Sequence, residues 1–190
     1  MRLLGVIVAG GRARRMGFDK IFATVGGKTI LARTIAALAP QVDLLVINAN
    51  GGEARFAATG LAVIADERPQ LGTPLAGIHA GLRHARAQGF DAVLTAPADC
   101  PFLPGDLARR LVPGPAIAAS GEETHVLTGL WPTGLLGDLE VALDKGLLRV
   151  KDWAARCQAR AIHWPTSPFD PFLNLNTPED LAEAQRIARL

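Results

Sequence analysis

Cysteine is scarce in this 190-residue chain, with only Cys100 and Cys157 present. Two thiols make neither a disulfide scaffold nor a four-cysteine zinc site, so a reducing compartment fits, and the expectation is a cytoplasmic protein. A surplus of one charge is also lacking. Lysine plus arginine number 20 against 18 aspartate plus glutamate, which excludes binding to nucleic acid or a membrane through overall charge. Any anion site must be local. Nor is there a run of about 18 uncharged apolar residues, the length a membrane-spanning helix needs. The N-terminal run Leu3–Ala9 is too short for that, and too short for a secretion signal. The histidines, His79, His84, His125 and His163, show no metal-ligand spacing, and no Ser-His-Asp order is evident.

What the chain does have is apolar material, 49% of it, enough for one large core. The length suits one domain, 1–190, with a first half to about 110 and a second from about 111. Apolar runs of strand length alternate with helical patterns. Leu3–Ala9, Leu44–Ile47, Leu61–Ile64 and Ala92–Ala96 read as buried strands. Ile30–Leu38 and Leu75–Ala87 read as helices, and Asp106 is placed to cap another. Thr177-Pro178-Glu179-Asp180 opens a last helix, with a capping Thr, a first-turn Pro and two acids near the positive end of the helix dipole. Ala116–Ala119 and Val126–Trp131 are apolar but less regular, and 165–171 reads as a loop. Alternating strands and helices predict an α/β fold, a Rossmann-like, mostly parallel sheet with helices on both faces. Ligands of such sheets bind beyond the carboxyl ends of the strands.

Polar clusters stand at three of those ends. After Ala9 comes Gly10-Gly11-Arg12-Ala13-Arg14-Arg15-Met16-Gly17-Phe18-Asp19-Lys20. Glycines let the backbone approach phosphate oxygens, Arg forks match them, and Lys adds a mobile point charge. The common phosphate templates fail. GxxxxGK[ST] counted from Gly11 meets Met16 where Gly is needed, and counted back from Gly27-Lys28-Thr29 it meets Phe22. Gly10-Gly11-Arg12 breaks GxGxxG. Asp66 ends the third strand and Asp99 follows the fourth. Mg²⁺ on a polyphosphate takes one or two protein carboxylates, and Asp99, flanked by Pro97 and Pro101, is the best placed. Read alone, Asn48 and Asn50 suit a turn.

Val8-Ala9-Gly10-Gly11 and the loop to Lys20 resemble the signature of the molybdopterin nucleotidyltransferases, and more narrowly of the molybdenum cofactor guanylyltransferases. That family usually has one more residue between Met and Asp-Lys. Further segments match in order: Asn48, Asp66 with the later Gly72-Thr73-Pro74-Leu75-Ala76-Gly77, Asp99-Cys100-Pro101, His125–Trp131 with Val126 in place of Pro, and Asn174-Leu175-Asn176-Thr177-Pro178-Glu179-Asp180. The resemblance implies a nucleotide-diphospho-sugar transferase type of fold. It implies transfer of GMP from GTP to the terminal phosphate of molybdopterin or molybdenum cofactor, with Mg²⁺ as cofactor and molybdoenzyme-maturation proteins as partners. On it, Val8, Ala9, Gly10, Gly11, Lys20, Asn48, Asp66 and Asp99 bind nucleotide, Arg14, Arg15 and Lys20 hold phosphates, and Asp99 holds the metal. Cys100 is left as a packing residue. Arg149, Lys151 and Trp153 are candidates for the phosphate and pterin of the acceptor, with the alternatives that Arg149 is an ordinary exposed helix residue and Trp153 a core residue. Asn174 and Asn176 either line the acceptor site or end a strand and cap the last helix. Three rivals stay open: a molybdopterin cytidylyltransferase, a sugar-phosphate nucleotidyltransferase, and a non-catalytic nucleotide sensor or metal-insertion partner.

Overall fold

A continuous apolar run rich in branched side chains is comfortable only where both its faces are covered. In the computed structural model, which describes residues 1–9 and 20–190, the first such run is strand β1 (Leu3–Val8), buried throughout. A short hairpin, β2 (Thr24–Val25) and β3 (Lys28–Thr29), leads into helix α1 (Ile30–Leu38). Then come β4 (Leu44–Asn48), β5 (Ala62–Ile64), α2 (Pro74–Ala87) and β6 (Ala92–Pro97). The remainder is α3 (Leu107–Leu111), β7 (Ala116–Ser120), β8 (Glu123–Pro132), α4 (Leu136–Asp144), α5 (Val150–Arg156), β9 (Arg160–Trp164) and α6 (Pro178–Ile187).

Local chemistry sets the helix starts. The Thr29 hydroxyl accepts the Ala32 N–H at 3.1 Å, and the Thr73 hydroxyl accepts that of Leu75 at 3.2 Å with Pro74 in the first turn. At α6, Thr177 and Asp180 form a reciprocal capping box, at 3.1 and 2.8 Å. The Asp106 expectation is corrected. Asp106 precedes α3, but its carboxylate accepts from Trp164 Nε1 at 2.9 Å, and the Gln41 side chain takes the Ala108 N–H at 3.0 Å instead. A tertiary donor outcompetes the local cap because the buried indole N–H needs a partner.

The main sheet has the order β5-β4-β1-β6-β8-β7-β9. All neighbours run parallel except at β8, which is antiparallel to both β6 and β7. The mostly parallel expectation holds, and the two less regular apolar stretches are β7 and β8. Their pairing jumps from Ile117 opposite Gly129 to Ala118 opposite His125, so β8 bulges where the apolar pattern loses its regularity.

One face of the sheet carries α1 and α3, with Ile7, Ile47, Leu94 and Leu107 in its core; the other carries α2, α4 and α5, with Val6, Ile78, Trp131 and Trp153. Helix α6 lies apart, its Ala184 packing with Leu175 of the preceding segment, Val25 and Ile30. Asp66 and Asp99 leave the sheet from β5 and β6, three positions apart across β4 and β1. At ~4.8 Å per strand the two strands lie roughly 14 Å apart, with the β1 exit between them.

The contact between α2 and β4 depends on Gly77, where a Cβ would overlap Asn48 Oδ1 and come within 3.3 Å of Val8. Alanine gains about 1 kcal/mol over glycine inside a helix, whereas overpacking costs about 1–3 kcal/mol. Gly77→Ala is therefore expected to lower stability in urea unfolding. A stabilised variant would mean that Asn48 moves aside freely.

Candidate active site

Residues 10–19, with the expected phosphate groups Gly10, Gly11, Arg14 and Arg15, lie outside the described residues. The site is built from their flanks. Before them, Val8 is buried, and the Ala9 N–H donates to the Asn48 carbonyl at 2.9 Å. After them, Lys20 begins a single helical turn whose next residue, Ile21, is buried and anchors it.

The Lys20 ammonium lies 2.6 Å from Asp99 Oδ2 and donates to Asn176 Oδ1, also at 2.6 Å. Both charged side chains are largely enclosed, at 15% and 19% exposure. The Asp99 turn is held from two sides. The Ala98 N–H donates to the Val8 carbonyl at 3.1 Å, and the Leu175 N–H donates to the Asp99 carbonyl at 3.3 Å.

Cys100 does more than pack. Burial, reinforced by the negative charge of Asp99, pushes its thiol well above the usual range. It stays protonated and donates to Asn174 Oδ1 at 2.9 Å. Asn174 and Asn176 thus both turn their carbonyl oxygens toward protein donors. Because an amide carries oxygen on one side and NH₂ on the other, both NH₂ groups point away from those donors. The resemblance assigned Lys20 and Asp99 to the nucleotide side and offered Asn174 and Asn176 to the acceptor, and the four side chains stand in one neighbourhood.

Asp66 belongs to a second cluster. Its carboxylate accepts from Asn48 Nδ2 at 2.8 Å and Asn50 Nδ2 at 2.5 Å, and its N–H donates to Asn50 Oδ1 at 2.8 Å. Asn48 is 1% exposed and also donates to the Ile64 carbonyl at 3.3 Å. Its amide orients Asp66, so the pair Asn48–Asp66 is the unit presented at this strand end.

The acceptor candidates divide. Trp153 is wholly buried, which decides its two readings for the core over the pterin: an indole in the α5 core has no open face to stack on. Arg149 is exposed and forks onto Asp152 at 2.8 and 3.1 Å, in neither cluster. The carbonyl of its neighbour Leu148 accepts from the Thr73 hydroxyl at the start of α2. Lys151 is exposed.

Sequence reading missed a bracket under the asparagines. Ser120 Oγ lies 2.7 Å from His125 Nε2 and 2.8 and 3.0 Å from the Asp170 oxygens. His125 stacks on Phe172 with ring centres 4.7 Å apart, and Asp170 accepts the Phe172 N–H at 2.9 Å. Here the serine stands between the other two, so this is no nucleophile–base–orienter relay. The serine hydroxyl has one proton to donate; both Asp170 oxygens lie within its reach as acceptors, and the proton given to them leaves His125 Nε2 to donate to Ser120 Oγ. The bracket fixes the start of the 170–176 segment, whose end carries Asn174 and Asn176. The available signal was the order Ser120, His125, Asp170, spread over 50 residues and legible only with strand register in hand.

Among the described residues no group of three His, Cys, Asp or Glu side chains gathers to hold a metal. A hard cation here would have Asp99 as its protein carboxylate and take its other oxygens from phosphate and water. Asp99 fits, since its oxygen already holds a cation, the Lys20 ammonium.

Burial lowers the His125 pKa from its ordinary 6.5, outweighing the opposing pull of Asp170 and Glu123. With the folded value depressed, the unfolded chain binds the extra proton first. The stability contributed is complete above 6.5 and is lost as pH falls below it. His125→Gln is expected to lack this component. Melting temperatures between about pH 7.5 and 5 should fall more steeply for the wild type, and parallel curves would remove His125 from the acid response.

Residues 5–160 match the family model described as the MobA-like NTP transferase domain. A protein of Nitrobacter hamburgensis named molybdenum cofactor guanylyltransferase is 50% identical over 197 residues, covering 98% of this chain and 94% of that one. The crystal structure of molybdopterin-guanine dinucleotide biosynthesis protein A from Archaeoglobus fulgidus superposes with a TM-score of 0.73 at 23% identity, covering 98% of both chains. The 4-diphosphocytidyl-2C-methyl-D-erythritol synthase of Anaerococcus prevotii shares the fold at a TM-score of 0.76 and 14% identity, covering 100% of this chain and 96% of the other.

Proposed function

The chain belongs to the MobA-like NTP transferase family, and from that premise we propose that it is a molybdenum cofactor guanylyltransferase, moving GMP from GTP to the terminal phosphate of molybdopterin or molybdenum cofactor. The observation that carries the reading is the contact of Lys20 with both Asp99 and Asn176. In this reading it joins the residue that ends the phosphate loop, the carboxylate offered to the metal and one of the two acceptor asparagines.

In this reading an oxygen of the acceptor's terminal phosphate attacks the α-phosphorus of GTP. A phosphorus–oxygen bond forms as the bond to the β-phosphate breaks, and pyrophosphate leaves. Bound Mg²⁺ would neutralise charge on the polyphosphate. The residues do the positioning. Lys20, with Arg14 and Arg15 of the loop, holds phosphate oxygens, and Gly10 and Gly11 let the backbone approach them. Asp99 holds the cation. The Asn48–Asp66 unit meets the nucleoside, and Asn174 and Asn176 offer NH₂ donors to the acceptor; Arg149, held by Asp152 outside both clusters, would have to exchange that partner to reach it. Such transfers proceed by alignment and charge stabilisation, without a covalent enzyme intermediate. The nucleotide half ends near residue 110, and the acceptor half follows it. The reaction belongs in the cytoplasm, beside proteins that mature molybdoenzymes; no described helix is long and apolar enough to cross a membrane.

The test supplies the protein with molybdopterin, Mg²⁺ and each nucleoside triphosphate in turn. Pyrophosphate release with GTP is expected, and none with any nucleotide would sink the reading. Release with CTP alone would reassign the base. Asp99→Ala is expected to cut turnover at least about 10²-fold while GTP still binds more weakly. Full activity in that variant would remove Asp99 from the mechanism.

A further inference from the structure

We propose that Lys20 is the stand-in for the divalent ion at Asp99, so that ion and nucleotide enter the site as a pair and neither binds well alone. This rests on the reading of Asp99 as the ion's carboxylate.

The geometry comes first. Lys20 Nζ sits 2.6 Å from Asp99 Oδ2 and 2.6 Å from Asn176 Oδ1. An ammonium has three N–H donors and no acceptor, and two of them are spent on these oxygens. Lys20 also closes the phosphate loop, and its flexible stem makes it a movable point charge. The same charge therefore has two claimants, Asp99 and the phosphates.

Each claimant alone meets a penalty. An ion arriving without nucleotide must displace the ammonium from Asp99. That strands a Lys20 side chain only 15% exposed, beside a new positive charge. A nucleotide arriving without an ion draws Lys20 toward its phosphates and leaves Asp99, 19% exposed, uncompensated and facing further negative charge. When both arrive, the ion replaces the ammonium on Asp99 and the ammonium finds phosphate. Charge at Asp99 is balanced before and after, and the favourable coupling is equal in both directions.

The test is titration of the protein with Mn²⁺ alone, followed by the paramagnetic resonance signal of the free ion. Wild type, Lys20→Met, Asp99→Asn and the double variant are compared, with Lys28→Met as a control that removes an exposed positive charge elsewhere. Lys20→Met is expected to bind Mn²⁺ about tenfold more tightly than wild type, the size set by removing one close competing charge. The double variant loses that gain, and Lys28→Met matches wild type. Lys20→Gln, which removes the charge and keeps a polar end one bond shorter, serves if the Met variant does not fold and is expected to behave alike. Equal affinity in wild type and Lys20→Met, or an equal gain in Lys28→Met, overturns the stand-in; a loss in Asp99→Asn still keeps Asp99 as the ion's ligand. Should Asp99→Asn change Mn²⁺ affinity in neither background, the reading of Asp99 itself fails.

Discussion

One ammonium group gathers the site. Lys20 comes from the segment after β1, Asp99 from the turn after β6, and Asn176 from the residues that cap α6. Each is fixed by its own local structure: Ile21 in the core, the Ala98 link to β1, and the capping box. The contact is made where parallel strands end, the edge at which the backbone leaves the ladder and side chains are free to converge.

Around that contact the protein disposes of its own hydrogen bonds before any ligand arrives. Cys100 and Lys20 occupy the amide oxygens of Asn174 and Asn176, while Asn48 and Asn50 occupy the oxygens of Asp66. Such preassignment removes the choice an amide or carboxylate otherwise has and lowers the entropy to be lost on binding. Below it, Ser120, His125 and Asp170 hold the strap that carries the asparagines, and Trp164 and Phe172 pack edge to face beneath, with ring centres 5.3 Å apart.

Much of this was legible in the sequence because each part depends on neighbours along the chain. The runs 3–9, 44–47, 61–64 and 92–96 are strands within a residue or two, and Thr177-Pro178-Glu179-Asp180 opens a helix as its chemistry requires. Asp99 and Asn176 announced themselves through motifs. What could not be read depends on partners distant in sequence. Asp106 satisfies Trp164 rather than its own helix, and Cys100 looked inert until Asn174 stood opposite. Trp153 was a choice between core and ligand that helical spacing alone does not make, and α5 places it inside. The antiparallel β8 was obscured because its bulge interrupts the alternation that marks a strand.

The Lys20–Asn176 bond closes a separation of 156 residues. A chain made from its N-terminal end acquires Lys20 and Asp99 well before Asn176, by roughly 4–15 s for 77 residues (176 − 99) at the pace of synthesis. During that interval β1, β4, β5 and β6 are already made, so the chain of the strand ends is complete while the strap is still missing. On the ribosome the two halves of this contact therefore have different birthdays, and the strand ends that carry Asp66 and Asp99 are made before the segment that brings Asn174 and Asn176 against them.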